Sequence, residues 1–475
     1  MIDERVAHCR SLVASQVKGR RVILVLPVVA AGTAAAAELV ALGAERVLVL
    51  GNEVGMGALI DPAHGEWSTY GAPPPAGADT SEGLHHASRC LRALDPKARA
   101  AIDAFDPAGE ALVLPAFVLD FDHLAGRPNY AARPAAWVAL EDKLVVDALW
   151  DRLSVPRAPS RVVPVEAAAL RAAHEVLDAG RGTVWAGDAR EGFHGGATKT
   201  RWVQRDDELD ATVAFFAARC DRVRVMPFLE GVPCSVHGVV FDDAVVAGRP
   251  CEMVVLRRPG QTSFRYAGAA TYWDPPADDR DAMRSLAKRV GAALRQSVGF
   301  RGVFTLDGVM TGEGFLPTEI NPRFGAALKI MFGADGPPMS LLDMVIKSGA
   351  GLDYRPAALE AVLIEQADAV RRGGGWSIFD FDVGDDGAVG LCWTGDGYRL
   401  AGEGEDAHAT VVYGRTGGRS MVRFLPEAAH VEPGRSIAPR VVAGWACVAA
   451  DRGWPIERLE AAVDVRGAPF DQKGL

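Results

Sequence analysis

Paired-cysteine motifs, basic tracts and long uncharged apolar runs are all missing from this 475-residue chain, and each absence narrows what it does. Seven cysteines, an odd number scattered from Cys9 to Cys447 without a Cys-x-x-Cys spacing, give no sign of a disulfide framework or a structural zinc site. The ten histidines form no His-x-x-x-His pattern. Glu82 with His85 and Glu191 with His194 have Glu-x-x-His spacing, but in Gly-interrupted segments with poor helical prospects, so packing or surface roles are expected. A net charge of -10 without a Lys/Arg run argues against nucleic acid as a partner. No segment stays apolar long enough for a membrane span, and Met1 to Arg5 open with charge, so no membrane association and a cytoplasmic location are expected.

What is there is a chain with 49% hydrophobic residues, enough to fill about three domains, which we place at 1–135, 136–350 and 351–475. Arg21 to Leu26 reads as a strand, Thr33 to Leu42 as an Ala-rich helix stopped by Gly43, Arg46 to Leu50 as a second strand, and Ala111 to Leu119 repeats the apolar pattern. A small doubly wound, Rossmann-like α/β domain follows from that order. Gly51, Gly55 and Gly57 do not make a dinucleotide fingerprint, and Pro27 stands where flexible glycine is needed, so NAD is not expected. Ala72 to Asp79 is a Pro/Gly-rich surface loop, with Ser81 to His86 read as part of the same excursion. Beyond residue 351, short β runs from Leu363 through Val422 and a helix near Pro455 to Ala462 give a small α+β subdomain.

The densest chemistry lies in Thr318-Glu319-Ile320-Asn321-Pro322-Arg323 and in the preceding run Val303 to Met310, which carries Asp307. Alternation along a strand points Glu319 and Asn321 the same way. A three-residue loop, Gly312 to Gly314, sets Asp307 opposite Glu319 in a hairpin. Opposed like charges destabilise a strand pair unless a cation lies between them, and two carboxylates with one amide leave room for water and phosphate around magnesium. Arg323 is then placed to clamp a phosphoryl or carboxylate oxygen. The competing reading is a hairpin whose polar face meets solvent, with Arg323 paired to Glu319.

The segment from Phe300 to Leu328 resembles the magnesium-binding strands of the ATP-grasp superfamily, and the likeness extends over about 141 to 350. The resemblance implies a two-lobed ATP-grasp fold between the Rossmann-like domain and the α+β subdomain, ATP and Mg2+ (with Mn2+ as a substitute) as cofactors, and Asp307, Glu319 and Asn321 as metal ligands. Arg323 matches the position that contacts phosphate or the tetrahedral intermediate. Lys143, in Glu141-Asp142-Lys143, matches a lysine that reaches the ATP phosphates; otherwise it pairs with Asp147 four residues on. Gly192, Gly195 and Gly196 fall in a hairpin loop between Thr183-Val-Trp-Ala186 and Arg201-Trp202-Val203, matching the family's phosphate-covering loop; alternatively it is a flexible surface tip. Trp185 stands where many relatives carry a second phosphate-binding lysine, so that either Lys199 or Arg190 replaces it or the charge is absent. Thr198 stands where a Walker A loop needs glycine before Lys199, so a P-loop is not expected. Met226, Phe228 and Glu230 match the linker that holds adenine and ribose, with ordinary strand burial as the alternative for the first two.

Arg265, in an Arg- and aromatic-rich stretch, is a candidate for holding a substrate carboxylate, although solvated surface arginines are commoner. The segments Glu191 to Gly196 and Leu229 to Ser235, with the overall layout, look similar to peptide ligases of the pheganomycin type. What the resemblance implies is an ADP-forming ligase joining a small-molecule carboxylate to an amine, amino acid or peptide through an acylphosphate, with self-association left open. A biotin-dependent carboxylase is disfavoured because Arg323 is followed by Phe324-Gly-Ala-Ala-Leu328 rather than Gln-Val-Glu-His. A small-molecule kinase and a non-catalytic nucleotide-binding protein stay as alternatives.

Overall fold

The computed structural model describes the chain except for residues 1–2, 76, 79, 116–120, 191–194, 196, 334, 417 and 467–475. It is a mixed α/β fold with a parallel sheet and a large antiparallel one. Strands β1 (Arg21–Val25), β2 (Arg46–Gly51), β3 (Gly65–Thr69) and β4 (Leu112–Pro115) form a parallel sheet in the order β3-β2-β1-β4. Their apolar runs are buried on both faces. Val22, Leu24, Val47 and Val49 meet the helices Glu4–Val17 and Thr33–Ala41, while Ile23, Val25, Leu48 and Leu50 meet Thr80–Arg92 and Pro96–Phe105. Burial on both faces is why these strands read as continuous apolar runs.

A second, antiparallel sheet holds β5 (Arg161–Pro164), β6 (Thr183–Gly187), β7 (Thr200–Val203) and β8 (Arg222–Pro227) in the order β5-β8-β6-β7. Trp185, Val203, Val223 and Val225 pack against the helices Ala167–Leu177 and Leu209–Ala217, leaving Val184, Trp202 and Met226 on the other face. The third sheet has eleven strands. Those that build the site are β9 (Val232–Val240), β10 (Cys251–Leu256), β11 (Arg265–Ala270), β12 (Gly302–Thr311) and β13 (Gly314–Asn321), in the order β13-β12-β9-β10-β11. Through Gly373–Phe379 the same sheet continues into the C-terminal strands. Val236, Phe304, Leu306, Met310 and Ile320 pack on the long helix Ala277–Val298, so the alternate residues of β9, β12 and β13 face the other way.

Two stretches fold differently from the sequence reading. Glu82 and His85 lie inside a thirteen-residue helix, Thr80–Arg92, rather than a loop. Burying Ala87 and Leu91 against Ile102 and Phe105 outweighs the roughly 1 kcal/mol that Gly83 costs a helix. At the other end the terminal helix is Ala438–Arg452, stopped by Gly453 in the left-handed region. Pro455 to Ala462 is not helical: it runs beside Arg257, whose N–H donates to the Glu460 carbonyl (2.8 Å) while the Glu460 N–H donates back (3.0 Å).

Gly231 joins the second sheet to the third with φ of +147°, and a Cβ there would stand 2.0 Å from the Met310 carbonyl oxygen. Gly231→Ala should therefore cost about 3 kcal/mol in urea unfolding. A loss below about 0.5 kcal/mol would show that this junction tolerates a side chain.

Candidate active site

Between the free faces of the second and third sheets lies a cavity of about 320 Å3. Its floor is the β12–β13 hairpin. Asp307 pairs directly with Glu319, and Thr305 with Asn321. The turn that achieves this differs from the expected one. Thr311 pairs with Gly314, so only two residues turn, and the missing residue is restored by a β-bulge between Asp307 and Gly308 that inserts Thr318. The Thr318 hydroxyl donates to the Asp307 carbonyl (3.2 Å), and its own carbonyl accepts from Arg224 of β8 (2.9 Å). The bulge thereby ties the two sheets together.

Around the carboxylate pair, Lys143 Nζ lies 2.5 Å from Glu319 Oε2 and donates to Thr200 Oγ1 at 3.3 Å. Lys143 precedes the helix Val146–Arg152, and Asp147 is engaged by Arg224 instead, with Nη2 at 2.6 Å. Asn321 Nδ2 donates to Asp307 Oδ2 (2.7 Å) and Glu319 Oε1 (3.2 Å), and Ser235 donates to Asp307 Oδ1. Burial, then the neighbouring Glu319 charge, pushes the Asp307 carboxyl well above the usual carboxylate range. Burial works on Glu319 in the same sense and is the largest single influence, but the Lys143 charge together with hydrogen bonds from Lys143, Asn321 and Asp307 outweighs it and holds Glu319 ionised. Arg323 Nη2 donates to Asn321 Oδ1 (3.0 Å), and its Nε lies 3.5 Å from Glu141 Oε2. Arg323 is therefore not paired to Glu319.

At the other end the cavity is apolar. Val184, Met226, Phe228, Val255 and Phe264 line it. Trp202 stacks on Phe228 with centroids 4.0 Å apart and on Phe264 at 6.0 Å. Arg257 closes over Phe228, 5.1 Å from its centroid.

The sequence-selected residues divide cleanly. Lys143, Gly195, Met226, Phe228, Asp307, Glu319, Asn321 and Arg323 line one cavity. Gly192 and Gly196 lie outside the described residues. Glu230 is not a lining residue, because Arg181 and Arg257 both pair with its carboxylate. Lys199 is buried behind the hairpin, 3.4 Å from the Asp188 carbonyl, and Arg190 turns to Asp221. Arg265 faces away from the cavity. Its guanidinium meets Glu457 at 2.7 Å and donates to Ser377 and Ile378, and the next residue, Tyr266, lines the cavity instead. Sequence reasoning missed Arg224, Ser235 and His237, which also line it, and within the Arg- and aromatic-rich stretch it ranked Arg265 above the lining residues Arg257 and Tyr266. The period-two pattern Ser235-x-His237 was the available signal for two of them. His237 is 2% exposed, and burial pushes its imidazole down to about 4, so it is uncharged.

No family model and no curated protein matches the chain. Solved structures do resemble it. Phosphoribosylamine–glycine ligase from Thermotoga maritima is 12% identical with a TM-score of 0.47, over 86% of this chain and 94% of that one. N5-carboxyaminoimidazole ribonucleotide synthetase from Thermus thermophilus is 14% identical with a TM-score of 0.45, over 90% and 98%. N5-carboxyaminoimidazole synthase from Aspergillus clavatus, complexed with ADP and 5-aminoimidazole ribonucleotide, is 11% identical with a TM-score of 0.46, over 87% and 96%. Likeness at this level leaves the chain's activity to be argued from its own site.

The electrostatics of the pair make a stability test. In metal-free buffer Asp307→Asn should raise stability by about 1 kcal/mol, because it removes a buried charge opposed to another. Lys143→Ala should lose about 2 kcal/mol by stranding Glu319, and in that background Asp307→Asn should stabilise by more than it does alone. Additive effects in this thermal-unfolding cycle would show that the three groups do not interact.

Proposed function

We propose that this chain is an ATP-grasp carboxylate–amine ligase that forms an amide, and in its finer form a peptide bond, through an acylphosphate with release of ADP and phosphate. The observation that carries this reading is the pairing of Asp307 with Glu319, flanked by Asn321, in the same cavity as an aromatic-lined slot. The two carboxylates are hard oxygen donors that suit magnesium, or manganese, better than zinc, and Asn321, whose amide nitrogen faces them, would add its oxygen on turning over. The fit is supported by the raised Asp307 carboxyl, whose burial beside a second carboxylate favours a nearby cation. Asp307, Glu319 and Asn321 would hold that ion, which when bound neutralises charge on the transferring phosphoryl group.

The chain's own residues account for the rest. Met226 and Phe228 give the base a flat apolar slot, with Arg257 capping it and Glu230 fixing Arg257. Lys143 sits beside the carboxylates, where it meets phosphate oxygens. Arg323 faces a substrate carboxylate or the acylphosphate. The substrate carboxylate oxygen attacks the γ-phosphorus and ADP departs. The amine nitrogen then attacks the acyl carbon, the carbon–oxygen bond to phosphate breaks, and the proton lost from nitrogen leaves with phosphate or solvent. Residues 136–350 supply nearly all of the cavity lining and would hold the nucleotide, the parallel-sheet segment 1–135 contributes no described lining residue, and the strands from Gly373 to Pro426 extend the large sheet.

Purified protein with ATP, magnesium and panels of carboxylates and amines should release ADP and yield new amide masses. AMP release would exclude an acylphosphate, and ADP without amide would favour a kinase. Glu319→Gln should lower turnover at least about a hundredfold. Phe228→Ala should raise the KM for ATP about tenfold with kcat nearly kept, and a pure kcat loss would remove Phe228 from the slot.

A further inference from the structure

Two residues along the same strands from the carboxylate row lies a second polar row. His237 pairs with Thr305, and Thr305 with Asn321, just as Ser235 pairs with Asp307 and Asp307 with Glu319. The period of two puts both rows on the cavity face. The first row is fully engaged. In the second, neither ring nitrogen of His237 nor the hydroxyl of Thr305 has a hydrogen-bond partner, although these residues are only 2% and 3% exposed. Both line the cavity. The space beside them is kept open by Gly325, where a Cβ would stand 2.7 Å from Thr305 Oγ1 and 3.1 Å from His237 Nε2.

Buried polar groups are nearly always satisfied, so two adjacent unpartnered ones facing a cavity mark a place for a ligand group. An uncharged imidazole and a hydroxyl each both donate and accept. Arg323 stands near Asn321 at the end of this row, and the carboxylates of the neighbouring row are engaged by Lys143, Ser235 and Asn321, so an ammonium finds no free counter-charge there. A carboxylate is better matched by the Arg323 guanidinium itself. What remains is a neutral group carrying both N–H and a lone pair. We propose that His237 and Thr305 bind the uncharged amino group of the attacking substrate and hold it beside the carboxylate row, an assignment that rests on the ligase reading above.

The test uses hydroxylamine first, with MgATP and, as carboxylates, the panel above together with the twenty common amino acids. Absence of hydroxamate from the wild-type protein would overturn the ligase reading and this proposal with it. The same amino acids then serve as acceptors for three variants: Thr305→Val, His237→Gln and Gly325→Ala. The KM for the acceptor should rise about tenfold in Thr305→Val and Gly325→Ala, and less in His237→Gln, which keeps a donor and an acceptor. The KM for MgATP should stay within about twofold. Thr305→Val should melt no lower than wild type, since it removes an unpartnered hydroxyl. Acceptor KM unchanged in all three variants, with hydroxamate formed by wild type, would assign the pair to the core or to bound water and overturn this proposal alone, and so would a rise confined to the KM for MgATP.

Discussion

Two carboxylates facing each other across a strand pair set the terms for the rest of the molecule. Asp307 and Glu319 are direct partners on β12 and β13, with Asp307 buried, and at an effective dielectric near 20 close like charges repel by on the order of a few kcal/mol. Within the hairpin only the Asn321 amide, two residues along β13, eases that. The other groups come from elsewhere: Lys143 ahead of the Val146–Arg152 helix and Ser235 on β9. The hairpin alone is therefore a poor structure, and it becomes a good one only inside an assembly that delivers a cation to it. A cell of this kind favours whatever positive charge binds there, whether ammonium or metal.

The register that opposes these carboxylates is fixed from the other side of the sheet. Val236, Leu306 and Ile320 alternate with the cavity residues and pack against the long helix. A slip of one residue in any of the three strands would bring its polar side chains into that core and expose the apolar ones. The bulge at Thr318 is the adjustment that lets a two-residue turn coexist with this register, and its freed carbonyl anchors Arg224 from the second sheet. The site's geometry and the packing of the large sheet are one constraint.

That coupling explains what was legible in the sequence. Alternation and opposed carboxylates are local properties, so the shared face of Asp307, Glu319 and Asn321 was legible, as were the doubly wound N-terminal strands. The register was right although the loop length was wrong, because bulge and turn errors cancel and a sequence shows only their sum. Long-range decisions were not legible. Whether Arg265 or Tyr266 faces the cavity depends on Glu457, nearly two hundred residues away, and the fate of Glu230 depends on Arg181 and Arg257. The helix Thr80–Arg92 was missed because its stabilisation comes from burial of Ala87 and Leu91 rather than from propensity.

The cations of the cavity are already matched at rest, and how firmly each is matched separates scaffold from working group. Arg224 is fully buried, held by Asp147 through two nitrogens and by the Thr318 carbonyl, so turning it to a phosphate would break three contacts. Arg257 is engaged by Glu230 and packed over two rings. Arg323 has only a 3.5 Å contact with Glu141, whose other oxygen is taken by Arg133, together with a neutral amide. Lys143 is bound strongly, but to a group that a divalent ion would claim. On the proposed reading, a divalent ion held by Glu319 would compete with the Lys143 ammonium for that carboxylate, so metal and lysine would be linked.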